Sequence, residues 1–203
     1  MGNSDMTITY TVGDGLYINM TNRCTNSCVF CVRQNQTGVG DAESLWLPHE
    51  PSLPEILDDL QKRDLADFSE IVFCGYGEPL CRLDDLIAVC RDIKAKSDLP
   101  VRINTNGQSD LINGRSTARE LAGLADIVSV SLNAPTAQEY DRICHSEFGQ
   151  NALPAIIEFA KQCKDNDIQV ILTAVDILTP EQMSGCRAIA DGIGVGFRER
   201  HCY

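Results

Sequence analysis

The feature that most constrains the fold is a regular alternation of short apolar segments with longer amphipathic ones. A hairpin is predicted near the start, from residues 7–12 and 16–20 joined at Gly13-Asp14-Gly15. The later predicted strands are residues 71–74, 101–105, 127–132, 169–174 and 195–201. Strands separated by helix-length connections form a parallel sheet with right-handed crossovers. The sequence therefore predicts an α/β fold, as an open doubly wound sheet or as a full or partial barrel.

Helix start signals support this alternation. A hydroxyl residue three positions before Glu predicts a capping box, and a hydroxyl residue before proline predicts an N-cap. These signals occur at Ser52 with Glu55, Thr117 with Glu120, Thr136 with Glu139, and Thr179 with Pro180.

The polarity of the strands favours the barrel. Ser129, Ser131 and Asn133 share one face of a strand whose other face carries valine and leucine, and Arg102, Asn104 and Asn106 repeat the pattern. An open sheet covered by helices on both sides would be apolar throughout. About six parallel strands fit in this length, which predicts a partial (β/α)6 TIM-like barrel, preceded by the hairpin strand, as a single domain over residues 1–203. Edge strands that face solvent are the alternative explanation.

Charge and hydropathy exclude several classes of partner. The chain has 17 basic and 29 acidic residues, a net charge of −12, which disfavours non-specific binding of nucleic acid. No apolar run approaches the roughly 18 residues of a membrane span, and the N-terminus has no basic stretch followed by an apolar one. We therefore expect a cytoplasmic protein with no membrane partner.

Three of the ten cysteines predict a metal centre. Cys24, Cys28 and Cys31 follow the first parallel strand in CTNSCVFC, and chance at this cysteine content gives about 0.02 copies of that spacing. Three thiolates on a short loop can hold three irons of a [4Fe–4S] cube and leave the fourth iron open to another ligand. The alternative is a structural zinc site completed by His49 or a distant cysteine.

A CX3CX2C loop after the first strand of a βα barrel resembles the signature of radical S-adenosylmethionine enzymes. Gly75-Tyr76-Gly77-Glu78-Pro79 resembles the motif that holds the methionine amino group in that family, with Tyr76 where a glycine usually stands. Phe30 matches an aromatic residue near the adenine, and the ends of two later strands match family positions that contact the cofactor. The cofactor contacts that the resemblance implies are Phe30, Tyr76, Gly77, Glu78, Pro79, Asn104, Ser131 and Asn133.

The resemblance implies an enzyme that cleaves S-adenosylmethionine reductively at a [4Fe–4S] cluster and abstracts hydrogen from a substrate through a 5′-deoxyadenosyl radical. It implies a one-electron donor such as flavodoxin or ferredoxin. The opening segment ITYTVGDGLYINMTNRCTNSCVFCVR, the short length and the closing segment FRERHCY resemble the small subfamily linked to TatD-type hydrolases. A glycyl-radical activase and an enzyme similar to 7-carboxy-7-deazaguanine synthase remain alternatives. A non-catalytic iron–sulfur or zinc module is the rival from another class.

Several other residues carry weaker expectations. Cys90, Cys163 and Cys186 are expected in the core, whereas Cys144-His145 and His201-Cys202 are candidate proton or hydrogen donors that are more often core or surface residues. Arg198 and Arg200 are expected either to bind an anionic substrate or to pair with surface acids. Residues 34–50, which contain Trp46, are expected to form a mobile cover over the open side of the barrel.

Overall fold

The computed structural model of the protein describes residues 6–201, and a seven-stranded sheet forms its centre. The strands are β1 (Thr9–Val12), β2 (Gly15–Ile18), β3 (Glu70–Phe73), β4 (Val101–Thr105), β5 (Ile127–Ser131), β6 (Gln169–Val175) and β7 (Gly196–Arg200). They lie in sequence order; β1 pairs with β2 in antiparallel orientation, and β2 to β7 are parallel. The predicted hairpin and the six parallel strands are confirmed.

Helices connect the parallel strands. They are α1 (Leu53–Leu60), α2 (Leu83–Lys96), α3 (Ser109–Asn113), α4 (Ala118–Leu121), α5 (Ala137–Cys144), α6 (Ala152–Asp165) and α7 (Pro180–Ile193). None of the helices within residues 6–201 is long and apolar enough to cross a membrane.

Most of the predicted helix starts are present. The confirmed N-caps are Ser52, Thr136 and Thr179. The capping box at Thr117 is wrong, because its hydroxyl donates to Oδ1 of Asp110 at 2.8 Å and makes no cap hydrogen bond. Its expected partner Glu120 pairs instead with Arg115, at 2.8 Å. Asp110 and Arg115, which precede the helix, thus bind the two residues that the sequence pattern pairs with each other.

The two faces of the sheet differ as the sequence predicts. Residues paired across neighbouring strands share a face, so the register assigns each side chain to one side. The side under the helices is apolar and fully buried, with Leu16, Ile71, Ile103, Val130 and Leu172 among its members. The other side, which we call the inner face, carries Tyr17, Val72, Arg102, Asn104, Ser129, Ser131, Thr173, Arg198 and Arg200. A polar inner face opposite a helix-covered face is the arrangement of a partial barrel, which confirms that prediction.

Candidate active site

The three cysteines lie on the loop that leaves the carboxyl end of β2. They are Cys24, Cys28 and Cys31, all half-buried. Backbone hydrogen bonds fasten this loop to the end of α5, because the N–H of Ser27 donates to the carbonyl of Cys144 and the N–H of Val29 to that of Ile143, both at 3.0 Å. The cysteine loop (residues 24–31) is therefore fixed by the fold itself.

A buried hydrogen-bond network lies beneath the cysteine loop, with Gln108 at its centre. Nε2 of Gln108 donates to Oδ1 of Asn26 at 2.8 Å and to Oη of Tyr140 at 2.9 Å. Oε1 of Gln108 accepts from the hydroxyls of Thr25 and Ser146, both at 3.0 Å. The side chains of Gln108 and Tyr140 are fully buried. This network joins the cysteine loop to the loop after β4 and to α5, and sequence reasoning did not find it.

Glu78 joins its own motif to the loop after β4. It is 3% exposed, and its Oε1 accepts from the N–H of Leu80 at 3.0 Å and from the hydroxyl of Thr105 at 2.8 Å. Its Oε2 accepts from the N–H of Asn106 at 2.6 Å. Burial raises the pKa of Glu78 to about 7, although these three hydrogen bonds act in the opposite direction. The carboxylate of Glu78 thus caps the short helix that follows it and joins that helix to Thr105 and Asn106. Its contact with the cofactor stays a prediction.

The raised pKa of Glu78 predicts a pH dependence of stability in the cofactor-free protein. Because the folded protein holds the proton more tightly than the unfolded chain, whose ordinary value is 4.5, Glu78 stabilises the fold fully below about 4.5. That contribution is lost as the pH rises through about 7. Glu78→Gln should flatten the loss of unfolding free energy between these pH values, measured by urea denaturation. Parallel curves for the parent and the variant would contradict the assignment.

Gly75 and Gly77 allow the backbone of their motif to pack closely against residues 19–23, the segment that joins β2 to the cysteine loop. A Cβ on Gly77 would lie 2.2 Å from the carbonyl oxygen of Thr21 and 2.6 Å from that of Arg23. A Cβ on Gly75 would lie 2.0 Å from Oδ1 of Asn19. The N–H of Glu78 also donates to the carbonyl of Arg23 at 2.7 Å. Only residues without a side chain fit these two positions.

Tyr76, the residue that departs from the motif that residues 75–79 resemble, points toward the segment of residues 34–50. Its ring packs edge-on against Trp46 with the ring centroids 5.2 Å apart, and its hydroxyl donates to the carbonyl of Gln36. Tyr76 and Leu45 are buried together, whereas Trp46 is 44% exposed. The segment therefore lies against the barrel through the contacts of Tyr76 with Trp46 and Gln36, and its expected mobility stays a prediction.

Asn104 and Ser131 lie on the inner face and contact arginines. Oδ1 of Asn104 accepts from Nη1 of Arg102 at 2.8 Å, and Oγ of Ser131 accepts from Nη2 of Arg200 at 3.2 Å. Phe30 is half-buried and packs on the main core. Phe30 belongs to the cysteine loop itself. Asn104 and Ser131 lie on the inner face of the sheet.

Asn133 has the features of a ligand-binding residue. It is 2% exposed, its φ is 55°, and its Oδ1 has no hydrogen-bond partner among the described residues. Its Nδ2 lies 3.9 Å from Sγ of Cys144. A buried carbonyl oxygen without a partner costs free energy unless a ligand or water supplies a donor. The hydroxyl and amino groups of S-adenosylmethionine are donors of this kind, so Asn133 fits the expected cofactor.

The expected parts of the site meet at the carboxyl end of the sheet. Pro79 is buried and begins the short helix Pro79–Arg82 directly after Glu78. Asn106, which binds Glu78, also places its Nδ2 3.9 Å from Sγ of Cys24 and 3.0 Å from the hydroxyl of Thr25. The structure thus brings together the cysteine loop, the segment of residues 75–79 and the loop after β4.

The three thiols are donors that suit an iron–sulfur cluster, and their assignment as its ligands stays a prediction. Within residues 6–201 no three His, Cys, Asp or Glu side chains converge closely enough to hold one metal ion. A [4Fe–4S] cube does not require such convergence, since each thiolate binds a different iron. His49, named for the zinc alternative, places its Nε2 3.5 Å from Glu55. Burial raises the pKa of Cys24 to about 12, so this thiol stays protonated until a metal binds it.

The remaining cysteines lie mostly where the sequence predicts. Cys90, Cys163 and Cys186 are fully buried in the core. Cys144 is also fully buried and contacts Cys28, a contact that was not foreseen. Cys202, named with His201 as a hydrogen donor, lies outside the described residues.

Comparison with known proteins identifies the class of this domain. A family model described as "Radical SAM superfamily" matches residues 18–187, and the chain belongs to this superfamily. Its expected cofactors, a [4Fe–4S] cluster and S-adenosylmethionine, are those of the superfamily, which confirms the resemblance.

The chain is similar to two curated relatives. It is 31% identical over 167 residues to a probable GTP 3′,8-cyclase of Methanosarcina acetivorans, covering 80% of this chain and 44% of the relative. It is 28% identical over 162 residues to a probable dual-specificity RNA methyltransferase RlmN of Synechococcus, covering 75% of this chain and 43% of the relative. The chain therefore spans less than half the length of these relatives.

Among solved structures, Streptococcus suis SuiB bound to the precursor peptide SuiA has a TM-score of 0.69 at 18% identity, covering 94% of this chain and 39% of SuiB. Methylornithine synthase has a TM-score of 0.66 at 13% identity, covering 93% of this chain and 53% of that chain. These similarities support the partial-barrel fold.

Proposed function

We propose that this domain is a radical S-adenosylmethionine enzyme whose cluster is held by Cys24, Cys28 and Cys31. With the cluster and S-adenosylmethionine bound, the site would supply one-electron cleavage of the S–C5′ bond and abstraction of a hydrogen atom from the substrate, with the electron coming from an external donor. The observation that supports this most directly is the junction of three loops beside the cysteines. Asn106 lies at its centre, between Glu78 and Cys24.

The residues of the chain serve to bind and orient. The backbone around Gly77 forms a tight turn beside the cysteine loop, which suits recognition of the methionine amino group by carbonyl oxygens. Asn133 and Ser131 offer oxygens at the end of β5 for the ribose or carboxylate. The proposed cofactor contacts are Phe30, Tyr76, Gly77, Glu78, Pro79, Asn104, Ser131 and Asn133. Orientation of this kind, together with exclusion of water, limits the radical to one hydrogen atom.

The decisive experiment is anaerobic reconstitution with iron and sulfide, followed by absorption and EPR spectroscopy. A brown [4Fe–4S] protein that forms 5′-deoxyadenosine from S-adenosylmethionine with dithionite supports the proposal. A colourless zinc protein, or an iron–sulfur protein that binds no S-adenosylmethionine, would contradict it and favour a binding module.

Asn133→Gly tests the cofactor site separately from the cluster. Glycine tolerates the positive φ, and Oδ1 of Asn133 has no hydrogen-bond partner among residues 6–201 to lose. The variant loses only the contact of Nδ2 with Sγ of Cys144 and the volume of a buried side chain, so we expect the unfolding free energy to fall by about 1–2 kcal/mol. Loss of one hydrogen bond should weaken S-adenosylmethionine binding about tenfold, measured by EPR titration of the reduced cluster. Asp167→Gly is the matched control, because Asp167 is exposed and has a φ of 62°. Equal affinity in both variants would contradict the role of Asn133.

The finer assignments belong to the same proposal. The TatD-linked subfamily and a TatD-type hydrolase as partner are supported by the opening and closing segments of the sequence. A flavodoxin or ferredoxin as electron donor follows from the chemistry. The nine cysteines within the described residues are free, which suits a reducing cytoplasm. The domain is taken as residues 1–203.

A further inference from the structure

The inner face of the barrel is positively charged in a strongly acidic protein. Within the strands of the described sheet this face carries three arginines, namely Arg102, Arg198 and Arg200, and one carboxylate, Glu70. The net charge of the whole chain is −12. The charge of the inner face is therefore opposite in sign to the net charge of the chain.

Glu70 balances the charge of Arg102, whereas Arg198 has no such partner among the described side chains. Nε of Arg102 donates to Oε2 of Glu70 at 2.9 Å, and Nη2 of Arg102 donates to Oε1 of Glu70. Arg198 forms no ion pair with a side chain of residues 6–201, and its Nη2 donates to the hydroxyl of Ser129 at 3.3 Å. A hydroxyl orients a guanidinium but does not neutralise it.

The register of β7 places Arg198 level with Ser131, one of the proposed cofactor contacts. Arg198 pairs with Thr173 of β6, which in turn pairs with Ser131 of β5. Its side chain crosses β6 and reaches Ser129, which lies two residues before Ser131 on the same face of β5. Glu199, the next residue, points to the other side and pairs with Arg187 at 3.2 Å. Because side chains alternate along β7, Glu199 lies in an ion pair on the outer side, whereas Arg198 lies on the inner face.

We propose that Arg198, with Arg200 beside it, binds an anionic group of the substrate, a carboxylate or a phosphate. The inference depends on the proposed function and adds the chemical class of the substrate to it. A guanidinium presents parallel N–H donors that match the two oxygens of either anion, and binding on the inner face holds the remainder of the substrate near the end of β5. Arg198 is exposed, so an anion reaches it from the open side of the barrel.

The anion has two conceivable sources, the substrate and the carboxylate of S-adenosylmethionine, and the experiment separates them. Inorganic phosphate and acetate are titrated into the cluster-loaded protein with S-adenosylmethionine present, with phosphate followed by 31P NMR line width and acetate by 13C line width. Arg198→Gln is compared with the parent and with Arg187→Gln, which removes the same charge from the outer side. S-adenosylmethionine affinity and iron content are measured for all three.

We expect the dissociation constant of at least one anion to rise tenfold or more in Arg198→Gln and to be unchanged in Arg187→Gln, with S-adenosylmethionine affinity equal in all proteins. Equal anion affinity in the parent and Arg198→Gln would overturn the inference. A parallel loss of S-adenosylmethionine affinity would also overturn it, because the anion would then be the cofactor's own carboxylate. Failure of the parent to load a cluster would overturn the proposed function instead, and the same titration of the cluster-free protein would still decide whether Arg198 binds anions.

Discussion

Alanine at Cys24, Cys28 or Cys31 is expected to abolish the stable iron–sulfur cluster. The loop offers three thiolates for four irons, so removal of one leaves two irons without a protein ligand. Iron and sulfide content after anaerobic reconstitution, together with the absorption spectrum, measures the loss. We expect each variant to fold as the parent does, because all three cysteines are only half-buried.

The controls come from cysteines outside the motif. Cys90→Ala and Cys163→Ala remove buried core thiols and should keep the full iron content, at a stability cost of about 1 kcal/mol. Cys144→Ala is the sharper control, because Cys144 contacts Cys28 without belonging to the motif. A near-stoichiometric [4Fe–4S] cluster in Cys28→Ala would refute the ligand assignment, and loss of iron in Cys144→Ala would show that the motif is not sufficient.

Gly77→Ala is expected to destabilise the protein by about 3 kcal/mol or more, because the new Cβ would meet two backbone carbonyl oxygens that cannot move independently of β2 and the cysteine loop. Urea denaturation of the cluster-free protein measures this change. The displaced loop should also lower cluster loading.

Gly192→Ala is the matched control in α7. A Cβ there meets nothing within 4 Å, and the residue has ordinary helical geometry, so alanine should stabilise the helix by about 0.5–1 kcal/mol. The two substitutions add the same methyl group and should shift the denaturation midpoint in opposite directions. A parent-like midpoint for Gly77→Ala would show that the segment of residues 75–79 is not packed as described.

The sequence predicted those features that depend on local periodicity. The alternation of Ser129 and Ser131 with valines identified the inner face of β5, and the spacing of the three cysteines identified the cysteine loop. Strand ends differ by one or two residues, as at β3, because hydrogen bonding of neighbouring strands decides where a strand ends. These features need no knowledge of distant contacts.

Long-range contacts explain what the sequence did not reveal. Gln108 binds Asn26 and Tyr140, which are 82 and 32 residues away, so no spacing rule could connect them. The one available signal was the hydroxyl of Tyr140 on the otherwise apolar stripe of α5. Glu78 was expected to meet the cofactor, yet its carboxylate binds three donors of the protein, one from Leu80, one from Thr105 at the end of β4 and one from Asn106 in the loop after β4. Tyr76 was read as a departure from glycine, and its partner Trp46 became evident only in three dimensions.

The hydrogen bonds beneath the cysteine loop have a consequence for cofactor assembly. Asn26, Ser27 and Val29 are already held by hydrogen bonds to α5 and Gln108. The conformational entropy lost when the cysteine ligands become ordered is therefore lost during folding and not when iron binds. The cluster should therefore bind to a loop that is already folded. Zinc fingers differ, because in them metal binding and folding are one event. Far-UV circular dichroism should be the same with and without iron, and a cluster lost to oxygen should be rebuilt without refolding of the chain.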